Sequence, residues 1–262
     1  MTSTLTTAAP PASHPAPDVE TIAVGVGPLL FEDVVAVARE GARVEITPEA
    51  LAEIRRSRVV EGLADHLQPH CWVSTGFGAL TTRNLGPTVR AQLQRSMVRN
   101  HASGSGPEVE REIARALMLL RLSTLATLPT GVSEEVAVAY AAVLNAGITP
   151  VVHEYGSFGC SDDLAPLAHC ALAVMGEGLV RDASGKLTWA AAALAKAGIS
   201  PVTLREKEGL ALIYGTDGML GMLVLAITDL RHLFSKAATV AALMKVEGDP
   251  ALVSPRAVLA QS

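Results

Sequence analysis

The spacing of apolar residues predicts a protein built mainly from α-helices. Apolar side chains recur every three or four residues, as in helices that bury one face. The pattern predicts helices over about 47–66, 88–99, 108–128, 133–145, 164–175, 188–197, 203–213 and 217–246. The last of these is long and apolar around most of its circumference, so we expect it to need partners on most sides.

A small mixed portion precedes these helices. Two short β-like segments, around Ile22–Val26 and Ala42–Ile46, flank an amphipathic stretch from Leu30 to Ala38. The first clear helix start is at Thr47, which is a favoured N-cap residue and is followed by a proline. Ser133, followed by two glutamates, is a second predicted cap.

Composition supports packed helices and argues against a nucleic-acid partner. Hydrophobic residues make up 49% of the chain but aromatic residues only 3%, so the apolar mass is mostly Ala, Leu and Val, which favours helices over a β-sandwich. The formal net charge of −5 offers no basic surface for nucleic acid. A small or zwitterionic partner suits this balance better.

The cysteines and the apolar segments predict a cytoplasmic protein. Cys71, Cys160 and Cys170 form no C-x-x-C pair, so a disulfide framework is not expected. Residues 1–19 lack the basic start and apolar stretch of a secretory signal, and their composition predicts a disordered tail. Every long apolar run is interrupted by charged or turn residues, so no membrane span is expected.

Three irregular stretches between helices are candidate sites: 71–80, 100–106 and 156–169. Long loops that combine Gly with polar residues often carry function. The third leads into a helix amino terminus, where Ser161 and backbone N–H groups could hold an anion or oxyanion. An equally open reading is that Ser161 or Asp162 caps that helix.

These stretches and a fourth segment resemble four motifs of the aromatic amino acid and histidine ammonia-lyases, which carry a methylidene-imidazolone (MIO) electrophile. The matching segments read STGFG at Ser74–Gly78, NHASGSG at Asn100–Gly106, GSFGCSDDLAPLAH at Gly156–His169 and EGLALIYGT at Glu208–Thr216. The resemblance covers roughly residues 20–250. It implies a helical bundle of the fumarase/aspartase-like type, of which residues 20–262 form the amino-terminal half, with core helices from about residue 108.

The resemblance also implies site residues, with no external cofactor and no metal. The positions that match catalytic ones are Cys160, Ser161, Asp162, His101, Tyr214 and Cys71. The positions that match substrate-binding ones are Trp72, Ser74, Thr75, Gly76, Phe77 and Asp163. His101 alone could equally be a buried structural histidine, Cys71 an inert small residue, and Tyr214 either a relocated acid or base or a group that fills the pocket.

By this resemblance, the MIO ring would form from Cys160, Ser161 and Asp162, when the third residue's nitrogen attacks the first residue's carbonyl carbon. Three positions depart from the family pattern: Asp162 replaces Gly, Cys71 replaces Tyr and Tyr214 replaces Asn. Gly reaches strained backbone conformations at low cost, whereas the Cβ and carboxylate of Asp restrict them. We therefore expect the tripeptide to stay uncyclised.

Three functions follow from this reading. The first is a carbon–nitrogen lyase that eliminates ammonia from an amino acid. The second is an enzyme on the same scaffold with MIO-independent chemistry, and the third is a non-catalytic subunit of a split lyase. Family members are roughly twice this length, so we expect a homo- or hetero-oligomer in which another chain, or a carboxy-terminal half, completes the fold. We also expect the three loops to converge on one pocket.

Overall fold

The computed structural model describes residues 20–58, 75, 85–157 and 162–248, and predictions that fall on other residues lie outside the described part. The fold is mainly α, as predicted. The described helices are α1 Phe31–Val35, α2 Pro48–Ser57, α3 Pro87–His101, α4 Arg111–Thr127, α5 Glu134–Asn145, α6 Leu164–Val174, α7 Ala190–Lys196, α8 Glu208–Ile213 and α9 Asp217–Gly248. The described strands are β1 Thr21–Val24, β2 Arg43–Ile46, β3 Ser105–Glu108, β4 Thr149–Pro150, β5 His153–Tyr155, β6 Leu179–Arg181 and β7 Leu187–Trp189.

The small mixed portion is a parallel pair, β1 and β2, connected through α1 and a π-helical segment, Ala36–Glu40. Both strands alternate exposed and buried residues, because each buries one face against the helices. The Asn145 side-chain amide joins this pair to α5. Its Oδ1 accepts from the Val44 N–H at 2.7 Å and its Nδ2 donates to the Val44 carbonyl at 2.8 Å.

The core is centred on α4, which packs against α2, α5 and α9. Nearly every residue of α4 between Ala114 and Ala126 is buried, so neighbouring elements surround it. The predicted caps are confirmed: the Thr47 hydroxyl accepts from the Ala50 N–H at 3.2 Å, and Ser133 caps α5.

Three predicted helices are shorter than expected. The helix predicted over 108–128 begins at Arg111, because β3 pairs with β5 in an antiparallel ladder. The helix over 188–197 begins at Ala190, because β7 pairs with β6. The helix over 203–213 is reduced to α8.

The reason for the short α8 lies in Glu208, whose side chain is fully buried. Its carboxylate accepts from the Arg205 N–H at 2.6 Å and from the Ser133 N–H at 2.9 Å. Lys207, immediately before it, has a φ of 66°, which interrupts a right-handed helix. The residues before Glu208 are therefore held as a loop by side-chain bonds that periodicity alone cannot reveal.

Helix α9 confirms the prediction of one long helix over 217–246. Its first turns pack on α4, and Val224 and Leu225 are buried there. Further along, large apolar side chains are exposed, among them Leu233 at 61%, Phe234 at 70% and Met244 at 70%. This extent of exposed apolar surface on one element is typical of an interaction surface.

The stretch Glu208–Met244 is also long and apolar enough to span a membrane, with a mean hydropathy of 1.8 in its best window. However, 44% of that window is buried inside the protein, and core helices pass the same test. One such helix is weak evidence for a span. The predicted lack of a membrane span stays a prediction.

Candidate functional site

Asp163 joins the third and fourth motifs. Its side chain is fully buried, and its carboxylate accepts the Met219 N–H at 2.9 Å in the first turn of α9 and the Ser157 hydroxyl. Its own N–H donates to the Gly215 carbonyl at 2.7 Å. The first N–H groups of a helix lack partners within the helix and carry positive potential, so a carboxylate there is stabilised. Asp163 thus fixes the 156–163 loop to the start of α9.

Arg121 fixes the same end of α9 to the core. Its guanidinium, on α4, forms a buried ion pair with Asp217, the first residue of α9. Nη1 of Arg121 also donates to the Ala211 carbonyl at 3.2 Å, and the Thr124 hydroxyl donates to Asp217 at 2.8 Å. Sequence reasoning missed this pair. Its signal was a single arginine inside the apolar run LMLLRLSTL, because a buried charge needs a partner.

Asp162 adds a carboxyl group that lacks a comparable partner. Its Oδ1 is buried and makes no hydrogen bond within the described part of the chain. Burial raises the pKa of Asp162, the neighbouring Asp163 raises it further, and Arg121 opposes both. The N-cap of α6 is Asp163, without a side-chain capping bond, so the reading of Asp162 as the helix cap is wrong.

The second and third loops lie against each other. Strand β3 pairs with β5, and a Cβ on Gly156 would come within 3.1 Å of the Gly104 Cα. The ring of His169, on α6, lies beside Gly104, with Nε2 at 3.2 Å from the position of a Cβ there. Both glycines are needed for this approach. The described parts of these two loops therefore lie together, as expected. Residues 71–74 and 76–80 of the first loop and 158–161 of the third lie outside the described part, so convergence of the loops on one pocket stays a prediction.

His169 is the more buried member of a histidine pair. Its ring lies 5.6 Å from that of His153, edge to face. Burial lowers the pKa of His169, and the proximity of His153 lowers it further, which favours the neutral ring. A neutral histidine in this position suits a structural role.

His101 is the last residue of α3 and is half-buried. Its Nδ1 donates to the Met97 carbonyl at 2.8 Å, within the last turn of the helix. This bond fixes the orientation of the ring and leaves Nε2 as the nitrogen that could meet a substrate. The structure accommodates both the structural and the functional reading of His101.

Tyr214 and Thr75 occupy different environments. The Tyr214 side chain is 62% exposed at the end of α8, next to the Gly215 carbonyl that Asp163 binds, so it does not fill an enclosed pocket in this chain. Thr75 is buried, at 2% exposure. The remaining predicted site residues lie outside the described residues: Cys71, Trp72, Ser74, Gly76, Phe77, Cys160 and Ser161.

The fourth motif is held from its other side by α3. The Gln94 side chain, which is buried, accepts the Gly209 N–H at 3.0 Å. A Cβ on Gly209 would come within 2.8 Å of the Gln94 carbonyl, so a larger residue would separate the two helices. The helix that carries His101 therefore also positions the segment that carries Tyr214.

The chain matches the family described as aromatic amino acid lyase over residues 29–258. The histidine ammonia-lyase of Streptomyces griseus is 58% identical over 226 residues, which cover 86% of this chain and 44% of that protein. The MIO-dependent tyrosine 2,3-aminomutase of Streptomyces globisporus is 41% identical over 207 residues, which cover 78% of this chain and 38% of that protein. The crystal structure of histidine ammonia-lyase from Trypanosoma cruzi superposes with a TM-score of 0.79 at 32% identity, covering 87% of this chain and 44% of that one. The chain spans less than half the length of each.

The raised pKa of Asp162 gives a pH-dependent prediction. A carboxyl whose pKa is higher in the folded than in the unfolded protein lowers stability above the unfolded pKa, and this cost disappears as the pH falls. We expect Asp162→Asn to be more stable than the unsubstituted chain at neutral pH, with a difference that vanishes below about pH 3.8, the ordinary aspartate pKa. Urea unfolding across a pH series measures this, with the exposed Glu154→Gln as control. A stability difference independent of pH would contradict the prediction.

Proposed function

The chain belongs to the aromatic amino acid lyase family, and from this premise we propose that it contributes the amino-terminal part of a carbon–nitrogen lyase. The reaction removes a proton from Cβ of an amino acid and releases ammonia from Cα, leaving an α,β-unsaturated acid. The observation that carries the proposal is the Asp163 bridge, because it holds the third and fourth motifs together at the amino end of α9. Positive potential there stabilises the Asp163 carboxylate, so the bridge keeps the two motifs in fixed positions relative to each other.

Histidine is the substrate we propose. The support is the identity of 58% to a histidine ammonia-lyase and the retention of His101 with one ring nitrogen held by the Met97 carbonyl. Because the chain spans 44% of that relative, we propose that the active form also contains the carboxy-terminal half of the fold, supplied by a partner chain or a longer polypeptide. We also propose that the assembled protein is a homo- or hetero-oligomer.

The residues that would supply an MIO group do not fit it as they stand. A ring from Cys160, Ser161 and Asp162 needs the nitrogen of residue 162 close to the carbonyl of residue 160. Residue 162 carries a carboxyl with one buried oxygen that has no hydrogen-bond partner among the described residues, next to the buried carboxylate of Asp163. We therefore propose that the tripeptide stays uncyclised in this chain.

Asp162 also favours a second candidate function. In this alternative the chain uses the same scaffold without an MIO electrophile, either for different chemistry or as a non-catalytic subunit of a split lyase. The exposed Tyr214, where the resemblance leads us to expect an Asn that bonds around the ring, supports the same alternative. The two candidates differ in whether ammonia is released.

Ammonia release by an assembled protein separates the candidates. The full chain is co-expressed with the carboxy-terminal half of the Streptomyces griseus enzyme, and ammonia from L-histidine is measured. We expect at most trace release from the unsubstituted assembly, whose tripeptide stays uncyclised, and release at least about tenfold greater from Asp162→Gly, because glycine removes a strain of about 1–3 kcal/mol that opposes ring closure and so raises the fraction of molecules with a closed ring. The control is Glu45→Gly, which removes an exposed acidic side chain on β2, away from the site.

No ammonia from either assembly would contradict the lyase proposal and favour the second candidate. Equal rates from the unsubstituted and Asp162→Gly assemblies would contradict the role given to Asp162.

The mass of the peptide that contains residues 160–162 tests the state of the tripeptide directly. We expect its full mass in the unsubstituted chain, since closure is opposed by the Cβ and charge of Asp162. In Asp162→Gly we expect a mass lower by two waters, the loss that ring formation requires. A peptide from the unsubstituted chain that already lacks two waters would contradict the account.

A further inference from the structure

A cavity of about 350 Å³ lies outside the candidate site, between α3, the carboxyl end of α6 and residues 201–204. Its volume is within the range of small-molecule sites. Met175, on its wall, follows the last residue of α6, whereas Asp163 precedes the first. At a rise of about 1.5 Å per residue, about 18 Å of helix separates the two. The cavity is therefore distinct from the region that Asp163 organises.

Apolar side chains form most of the cavity wall, and local contacts hold that wall in place. The Val202 N–H donates to the Val174 carbonyl at 3.1 Å, which fixes residues 201–204 against the end of α6. Gly176, with a φ of 76°, lets Pro201 approach, because a Cβ there would lie 3.0 Å from the proline Cγ. The wall is thus a fixed surface that an apolar ligand can cover. Its apolar residues are Ala91, Met175, Pro201, Val202 and Leu204.

The polar end of the cavity has more positive than negative charge. Arg95 and Arg99, one turn apart on α3, both bind the Glu177 carboxylate: Nε of Arg95 donates to Oε1 at 2.8 Å and Nε of Arg99 donates to Oε2 at 2.6 Å. Burial alone would raise the pKa of Glu177, but the hydrogen bonds from Arg99 and Arg95 outweigh it and hold the pKa below its ordinary value. Two guanidinium groups therefore share one ionised carboxylate. The positive charge in excess favours a bound anion.

Arg95, which lines the cavity, can bind a second carboxylate. Its side chain is 56% exposed, and its Nη1 makes no hydrogen bond to the described residues. Gln92 lies three residues earlier on the same face of α3, and its side-chain amide supplies another donor at the cavity. A guanidinium with an amide beside it is a donor set that suits a carboxylate.

We propose that this cavity binds a small organic carboxylate, with its charged group on Arg95 and Gln92 and its apolar body against Met175, Val202 and Leu204. The excess positive charge selects an anion, and the apolar wall selects an anion that has a hydrocarbon body. This inference goes beyond the proposed function and does not rest on it, because none of the residues that line the cavity belongs to the four motifs.

Calorimetric titration of the purified full chain with hexanoate tests the proposal. This probe combines a carboxylate with an apolar body that is unlike a histidine side chain, and we expect saturable binding at a single class of site. Hexan-1-ol should bind at least about tenfold more weakly, because it lacks the charge-assisted bond to Arg95. Acetate should also bind at least about tenfold more weakly, because it buries little apolar surface.

Three results of this titration would overturn the proposal. The first is an absence of hexanoate binding. The second is hexan-1-ol binding as tightly as hexanoate, which would show that the charge is not recognised. The third is acetate binding as tightly as hexanoate, which would show that the exposed arginine attracts any anion.

Variants of the cavity locate the site. Arg95→Gln should weaken hexanoate binding at least about tenfold, whereas Arg95→Lys should keep most of it because it keeps the charge. The control is Arg43→Gln, which removes an exposed arginine on β2. Ala91→Leu should also weaken binding at least about tenfold because it fills the cavity, with Ala192→Leu, exposed on α7, as its control. Circular dichroism checks the helix content of each variant. Unchanged binding in Arg95→Gln or Ala91→Leu would overturn the proposal.

The methyl signals of isotope-labelled methionines in NMR spectra show where hexanoate lies. The signal of Met175, assigned with Met175→Leu, should move on titration and saturate with the same dissociation constant as the calorimetry. The signal of Met219, in the first turn of α9, should stay in place. A shift at Met219 without one at Met175 would place hexanoate at the candidate site and overturn the proposal, and it would leave the proposed lyase function unaffected.

Discussion

The arrangement of the site depends on how three acidic residues and one arginine share the amino end of α9. Burying an ionised side chain is costly unless it is paired or hydrogen-bonded. Asp217 meets this requirement through Arg121, and Asp163 meets it through the Met219 N–H and the Ser157 hydroxyl. The ion pair holds the helix to α4, while the hydrogen bonds hold the loop to the helix.

The carboxylate of Asp162 is the acidic group of this cluster that the described residues leave uncompensated. Arg121 is already paired with Asp217, and the Met219 N–H, in the first turn of α9, is already bonded to Asp163. The raised pKa of Asp162 follows from its burial and from Asp163, so the fold shifts this side chain towards its neutral form. A glycine at this position would add neither a charge nor a Cβ to the cluster.

Helix α9 holds the site at its first turn, where the Met219 N–H binds Asp163 and where Asp217 pairs with Arg121. Val224 and Leu225, which follow that turn, are buried where the helix packs on α4. The part of α9 that holds the loop is therefore also the part that packs into the core.

The sequence pattern predicted the parts of the fold that depend on residues close together along the chain. The caps at Thr47 and Ser133 and the extent of α9 follow from capping chemistry and helical periodicity, and the structure confirms them. The start of α8 could not be predicted in this way, because Glu208 bonds to Ser133, which is distant in sequence.

Within the site, the motifs identified Asp163, but its partner Met219 and the Arg121–Asp217 pair depend on packing between helices. A sequence pattern identifies only one of the two residues in such an interaction. A single arginine in an apolar helix predicts that a buried partner exists, but it does not predict which residue that partner is.

The most direct test is amide hydrogen exchange at Met219 in the unsubstituted chain and in Asp163→Asn. A hydrogen bond to a charged acceptor contributes about 1.5–3 kcal/mol, so its loss should speed exchange of the Met219 amide by roughly 10–100-fold. The Ala137 amide, which binds the Ser133 carbonyl in α5, should be unaffected. Unchanged exchange at Met219 in Asp163→Asn would show that the carboxylate does not hold the loop to α9 and would contradict the account.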